Sequence, residues 1–143
     1  MEQFSSVKLI QEVVRNQGNL YNVLYLYGNA EKTASVAEEI LREMERQRPG
    51  ARVVHTNGTA FCQSVLNDSI GYVGDVLVFE NLQEVAGREI AEQILYGILD
   101  AYLESGKQVI VTGDAPLYDM LCLASRIQAQ LLGGLNVPVG EGI

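Results

Sequence analysis

The fold of this chain is decided by residues 21–33, which read YNVLYLYGNAEKT. Residues 23–27 form an unbroken apolar run that ends at Gly28, without the polar–apolar alternation of a half-exposed strand. Such a run predicts a strand that is buried on both faces. Apolar residues at helical spacing follow at residues 36–44, so a strand is followed by a helix.

The same kind of apolar run recurs at residues 76–79 and 109–111, and residues 52–56 have a shorter strand pattern. Strands of this kind, alternating with helices, predict a mostly parallel sheet covered by helices on both sides. A length of 143 residues is usual for one domain. We therefore expect residues 1–143 to form a single three-layer α/β domain.

Several other segments have helical spacing. Residues 4–14 and 60–66 predict two short helices. A longer helix is expected to place Ile90, Ile94, Ile98 and Tyr102 on one face, and residues 117–132 predict a last helix with Leu121, Ala124 and Ile127 turned inward.

Charge and composition exclude some classes of function. The net charge is −8, and residues 68–119 hold ten acids against Arg88 and Lys107. Because affinity for nucleic acid comes largely from Lys and Arg, direct DNA or RNA binding is not expected. No apolar run reaches the roughly 20 residues of a membrane span, and residues 1–18 lack a signal-peptide pattern. These features predict a cytoplasmic protein with no membrane partner.

Cysteine and histidine are too few for a metal site. Cys62 and Cys122 have no CxxC spacing, and His55 is the single histidine, so no metal ligand set is predicted. Both thiols are interpreted as buried and reduced rather than nucleophilic.

In open parallel sheets, ligands bind beyond the carboxyl ends of the strands. Three strand ends therefore matter here: Gly28 onward, Glu80 with Asn81, and residues 112–114, which read Thr-Gly-Asp. A P-loop protein has its phosphate loop, its magnesium-binding acid and its γ-phosphate sensor at these places.

The ordered set of motifs resembles the nucleotide-binding domain of the bacterial DnaA and Hda family of AAA+ proteins. Residues 21–28 resemble the family's first strand (YNPLFIYG), and residues 76–83 its Walker B strand (LLIDDIQ). Residues 86–89 resemble an AGKE-like turn, and residues 104–116 the segment that ends in TGDRP. Residues 123–126 resemble the LxSR motif that carries the family's arginine finger. The resemblance implies a five-stranded P-loop (AAA+) core, here without the family's helical lid.

The phosphate loop departs from the family pattern. A loop of the form GxxxxGK(S/T) wraps phosphates with backbone N–H groups. Here residues 28–33 read GNAEKT, two residues shorter, with Glu31 in place of the glycine before the lysine. A carboxylate about 5 Å from a phosphate charge costs about 3 kcal/mol at an effective dielectric constant near 20. Gly28, Lys32 and Thr33 thus form, with Glu80, a vestigial nucleotide site. The alternative is that Lys32 and Thr33 are a surface lysine and a helix-capping threonine and that Glu80 is an exposed acid at a strand end.

The catalytic groups of the family are also incomplete. Asn81 replaces an acid and has no titratable carboxylate, so it cannot act as a base. Asp114 is present, but Ala115 stands where an arginine usually follows. Phosphoryl transfer depends on positioning and charge stabilisation by all these parts together. No catalytic residue and no ATPase activity are therefore predicted.

Arg126 occupies the arginine-finger position that the resemblance implies. In the family this residue reaches the ATP site of a neighbouring subunit; the alternative is a surface arginine paired with an acid such as Asp119.

Three hypotheses for function follow. The first is a catalytically inactive DnaA/Hda-like domain without a cofactor, which associates with itself as a homo-oligomer or with a DnaA-family or replication protein, in the regulation of replication initiation. The second is a weak ATP–Mg²⁺ switch that uses Lys32 and Glu80. The third is a degenerate remnant without a dedicated task.

Overall fold

The computed structural model describes residues 22–66 and 73–139. Five strands form one parallel sheet in the order β2-β3-β4-β1-β5. The strands are β1 (Leu24–Gly28), β2 (Val53–Asn57), β3 (Val76–Glu80), β4 (Gln108–Gly113) and β5 (Leu135–Val139). The helices are α1 (Ala30–Gln47), α2 (Gly58–Leu66), α3 (Glu89–Glu104) and α4 (Ser125–Leu132), with short 3₁₀ turns at Leu82–Glu84 and Leu117–Asp119. The predicted α/β class and parallel five-stranded sheet are confirmed. The predicted helix at residues 4–14 lies outside the described residues.

The sheet separates two hydrophobic clusters. On one face Leu24, Leu26 and Ile110 pack with α1 through Val36 and Ile40. On the other face the core includes side chains of the sheet and of the three remaining described helices: Tyr25, Phe61, Leu77, Phe79, Leu95, Leu99, Val109, Val111, Ile127 and Leu131. Because consecutive strand residues point to opposite faces, the unbroken apolar runs supply both clusters, as the sequence predicts.

The inner face of α3 differs from the prediction. Tyr102 is buried as predicted, but Ala91, Leu95 and Leu99 are the other buried residues. Ile94 and Ile98 are only partly buried against the core, and Ile90 is exposed. Most positions on α3 are apolar, so helical spacing fits two neighbouring faces equally well. The packing of α3 against β4 and its two neighbouring helices selects the face one residue further along.

The predicted helix over residues 117–132 is wrong in its first half. The chain instead forms a 3₁₀ turn and an irregular segment before α4 begins at Ser125. The Nε2 group of Gln128 donates hydrogen bonds to the carbonyl oxygens of Met120 (3.1 Å) and Leu123 (3.1 Å), replacing helical partners. Leu121 is consequently 88% exposed rather than inward, and Cys122 is exposed rather than buried.

The fifth strand has no clear signal in the residues themselves, since β5 contains Asn136 and Pro138. It lies at the edge of the sheet, where proline is tolerated because one side of the strand needs no ladder bond. Within the part of the chain that the structure describes, no helix is both long and apolar enough to cross a bilayer.

Candidate functional site

The carboxyl ends of β3, β4 and β1 lie side by side at one edge of the sheet. The register aligns Tyr27 with Gly113 and Phe79 with Val111, so Gly28, Glu80 and Asp114 follow strands that end at this edge. The backbone N–H of Asn81 donates to the hydroxyl of Thr112 (3.0 Å), which ties the end of β3 to β4. The structure thus brings together the three strand ends that the sequence singled out.

The connection from β1 to α1 is a single residue, Asn29. Its side-chain oxygen accepts a hydrogen bond from the backbone N–H of Lys32 (3.1 Å), and its carbonyl oxygen accepts from the N–H of Thr33 (2.9 Å). Asn29 is therefore a helix N-cap. Two N–H groups of the first helical turn already have protein partners, and the strand passes directly into the helix.

Lys32 and Thr33 have different environments. Lys32 is exposed on the first turn of α1 beside the exposed Glu31. Thr33 is only 1% exposed, and its hydroxyl donates a hydrogen bond to the carbonyl oxygen of Ala30 (3.1 Å). The Thr33 hydroxyl thus stabilises the start of the helix from inside the fold.

Glu80 is bonded to His55. An imidazole nitrogen of His55 and a carboxylate oxygen of Glu80 form a hydrogen bond between β2 and β3. The side chain of Glu80 is 18% exposed and that of His55 is 44% exposed. The sequence does not predict this contact, because only the register of β2 on β3 brings the two residues together.

No group of three potential metal ligands occurs within residues 22–66 and 73–139.

The segment after β4 is held by Tyr25. The hydroxyl of this buried tyrosine donates to the carbonyl oxygen of Ala115 (2.7 Å). Burial, followed by the nearby charge of Asp114, raises the pKa of Tyr25 well above its usual value. Asp114 itself is exposed.

Arg126 lies on α4 over an aromatic ring of α3. Its guanidinium carbon is 4.7 Å from the centroid of the Tyr96 ring, a cation–π distance. Within the described residues, Arg126 forms no ion pair with Asp119 or Glu80. Arg126 is exposed on α4, so its side chain points away from the core as predicted.

A polar cleft that the sequence did not predict opens between α2 and the segment that follows β3. It has a volume of about 540 Å³ and is lined by residues that include Cys62, Glu84 and Arg88. Glu84 accepts hydrogen bonds from the backbone N–H (2.8 Å) and hydroxyl (2.7 Å) of Thr59, at the start of α2. Burial raises the pKa of Cys62, so this thiol is a poor nucleophile at neutral pH.

Comparison with known proteins gives a consistent family. Residues 3–138 match the family described as the bacterial DnaA ATPase domain. The chromosomal replication initiator protein DnaA of Francisella philomiragia is 28% identical over 139 residues, which is 90% of this chain and 28% of that protein. The chain thus spans less than a third of the length of this relative.

Solved structures with the same fold include domain III of the Thermotoga maritima replication initiation protein DnaA. It superposes with a TM-score of 0.83 at 19% identity, over 93% of this chain and 60% of that one. A replication initiator DnaA bound to AMPPCP and single-stranded DNA gives a TM-score of 0.81 at 20% identity, over 92% of this chain and 44% of that one. At these identities the likeness shows a shared fold.

Proposed function

Because the chain belongs to the bacterial DnaA ATPase domain family, we propose that it is a nucleotide-independent member that acts by docking on proteins. The observation that carries this proposal is that Asn29 alone connects β1 to α1, at the place where the family resemblance implies a phosphate loop. A phosphate loop works by offering several free N–H groups around the phosphates. Here the connection is too short to surround a phosphate, and its cap already uses the N–H of Lys32.

The remaining groups do not fit a magnesium triphosphate either. The Thr33 hydroxyl is buried and bonded to Ala30, and the Glu80 carboxylate is bonded to His55. A metal would have to displace both contacts, and Glu31 adds a negative charge where the triphosphate would lie. We therefore assign no hydrolysis step to this chain.

Titration with ATP tests this part of the proposal. We expect no affinity tighter than about 1 mM in the presence of Mg²⁺ by isothermal calorimetry, which corresponds to about 4 kcal/mol of binding free energy. A full-length DnaA titrated under the same conditions is the positive control. Micromolar affinity for this chain would instead favour the weak ATP switch that uses Lys32 and Glu80.

The proposed docking surface is formed by Tyr118 and Leu121, in the segment between β4 and α4. Tyr118 is 77% exposed and Leu121 is 88% exposed, and they lie three residues apart with Asp119 between them. Large exposed apolar side chains that lie close together are typical of protein contact sites. The net charge of −8 opposes a phosphate backbone, so the proposed partner is a protein: a second copy of this chain or an ATP-binding DnaA-family protein.

Arg126 is the proposed chemical contribution to such a complex. Arg126 is the second residue of α4, which begins shortly after the segment that carries the docking surface. A guanidinium binds phosphate bidentately through its planar set of N–H donors. Delivered into the ATP site of a DnaA-family partner, it would stabilise the charge of the transferring phosphoryl group and accelerate the partner's hydrolysis.

Self-association can be measured by sedimentation equilibrium. We expect the chain to dimerise at or below 100 µM, and Leu121→Asp to weaken the dimer at least tenfold, because it places a charge in an apolar contact. Ile90→Asp is the matched control, since Ile90 is also exposed (67%) but lies on α3. A strictly monomeric wild-type chain at 100 µM, or equal effects of both variants, would contradict docking between copies through Leu121.

A further inference from the structure

Three contacts join α3 to α4 and to the residue that precedes α4. One carboxylate oxygen of Glu92 accepts hydrogen bonds from the backbone N–H groups of Gly87 (3.1 Å) and Ala124 (3.0 Å). Tyr96, one helical turn further along α3, lies under Arg126. The carbonyl oxygen of Tyr96 also accepts a hydrogen bond from Nε2 of Gln130 (3.2 Å). Glu92 and Tyr96 are four residues apart and therefore lie on the same side of α3. This side of α3 contacts both α4 and the residue that precedes it.

These contacts fix the position of Arg126 in two ways, one through the backbone of α4 and one through the arginine side chain. Glu92 is buried and bonds the N-cap residue Ala124, so it fixes where the backbone of α4 begins. Arg126 is the second residue of that helix, and its side chain would otherwise sample many rotamers in solvent. The Tyr96 ring limits this freedom because it attracts the guanidinium to its face. A guanidinium that lies over a ring still has its N–H donors in its own plane.

We propose that Tyr96 and Glu92 are positioning residues for Arg126. Glu92 sets the start of α4, and the Tyr96 ring holds the guanidinium in one direction with its N–H donors available to a phosphate of the docked partner. This inference rests on the proposed docking function. An arginine ordered before docking loses less conformational freedom when it reaches a phosphate. Because Arg126 would act on the charge that develops on the transferring phosphoryl group, while the proposed docking surface is formed by Tyr118 and Leu121, the ring should raise the rate of the partner's reaction more than the strength of docking.

The first test measures the ATP turnover of a full-length DnaA-family ATPase from the same cell, with increasing amounts of this chain. Three variants are compared with the wild type: Tyr96→Leu, Tyr96→Phe and Arg126→Ala. We expect Tyr96→Leu to reduce the stimulated turnover about fivefold, while the concentration for half-maximal stimulation stays within twofold. Tyr96→Phe should restore the turnover because it keeps the ring, and Arg126→Ala should abolish the stimulation.

The second test needs no partner and uses nuclear magnetic resonance. The ring current of Tyr96 should shift the Nε proton of Arg126 upfield in the wild type and in Tyr96→Phe, and the shift should vanish in Tyr96→Leu.

In the turnover test, wild-type stimulation by the Tyr96→Leu variant, when Arg126→Ala is inactive, would overturn the positioning role. So would a loss of turnover in Tyr96→Phe equal to that in Tyr96→Leu.

The two tests also separate this inference from the proposed function. Equal turnover with Arg126→Ala and the wild type would remove the proposed chemical contribution of Arg126. The upfield shift would still report whether Tyr96 orders the side chain, and its absence in the wild type would overturn the inference by itself.

Discussion

Gly28→Ala is expected to lower the free energy of unfolding by about 3 kcal/mol, because the new methyl group would overlap the carbonyl oxygen of Val139. Gly28 pairs with Val139 in the β1–β5 ladder, so relieving this overlap requires the end of β5 to move away from β1. Gly28 also has a φ of 138°, a backbone conformation that residues with a side chain rarely adopt. Overpacking in a core costs roughly 1–3 kcal/mol, and the left-handed region adds about 1 kcal/mol.

Urea unfolding followed by circular dichroism measures this effect. Gly50→Ala is the matched control, since Gly50 has a φ of 92° but no atom within 4 Å of an added Cβ. We expect Gly50→Ala to lower the free energy of unfolding by only about 1 kcal/mol, because the positive φ alone disfavours a residue with a Cβ. Equal destabilisation in both variants would mean that the close approach of β5 to Gly28 does not matter.

Glu92→Ala is expected to destabilise the fold by about 3 kcal/mol. It removes a buried carboxylate oxygen that accepts two hydrogen bonds, and it leaves the N–H groups of Gly87 and Ala124 without that partner. Hydrogen bonds to charged groups contribute about 1.5–3 kcal/mol each, and an unsatisfied buried donor is costly. For a domain of this size, such a loss corresponds to a decrease in Tm of roughly 10 °C.

Glu92→Gln separates the hydrogen bonds from the charge. Its amide oxygen can accept from the same two N–H groups, so we expect a loss of only about 1 kcal/mol. Thermal unfolding of the three proteins at neutral pH gives the comparison. If Glu92→Ala lost less than about 1 kcal/mol, the bridge between Gly87 and α4 would not be a significant contact.

The three strands with unbroken apolar runs could be predicted because two-sided burial leaves a local signal. Residues 23–27, 76–79 and 109–111 correspond closely to β1, β3 and β4. The inner face of α3 could not be predicted in the same way. Ile90 and Leu95 both belong to apolar series at helical spacing, and only the neighbouring sheet and helices decide which series is buried.

The edge strand β5 and the segment before α4 show a second limit. Pro138 weakens any strand pattern, and β5 exists because β1 offers it a parallel ladder. Residues 120–124 have helical spacing but are not helical. The side chain of Gln128 bonds two of their carbonyl oxygens, and the side chain of Glu92 bonds the N–H of Ala124. Both outcomes depend on hydrogen-bond partners that the local pattern does not contain.

The sequence by itself determined the family resemblance, the parallel α/β class and the presence of Glu31 in the short segment after the first strand, since each can be recognised from residue types and their order along the chain. Tertiary structure decided which partners the candidate site residues have. His55 contacts Glu80, which is 25 residues further along the sequence, and Tyr96 contacts Arg126 although the whole of β4 lies between them in the sequence. The physical reason is that hydrogen bonds and ring contacts act over a few ångströms, so they depend on strand register and helix packing rather than on spacing along the chain.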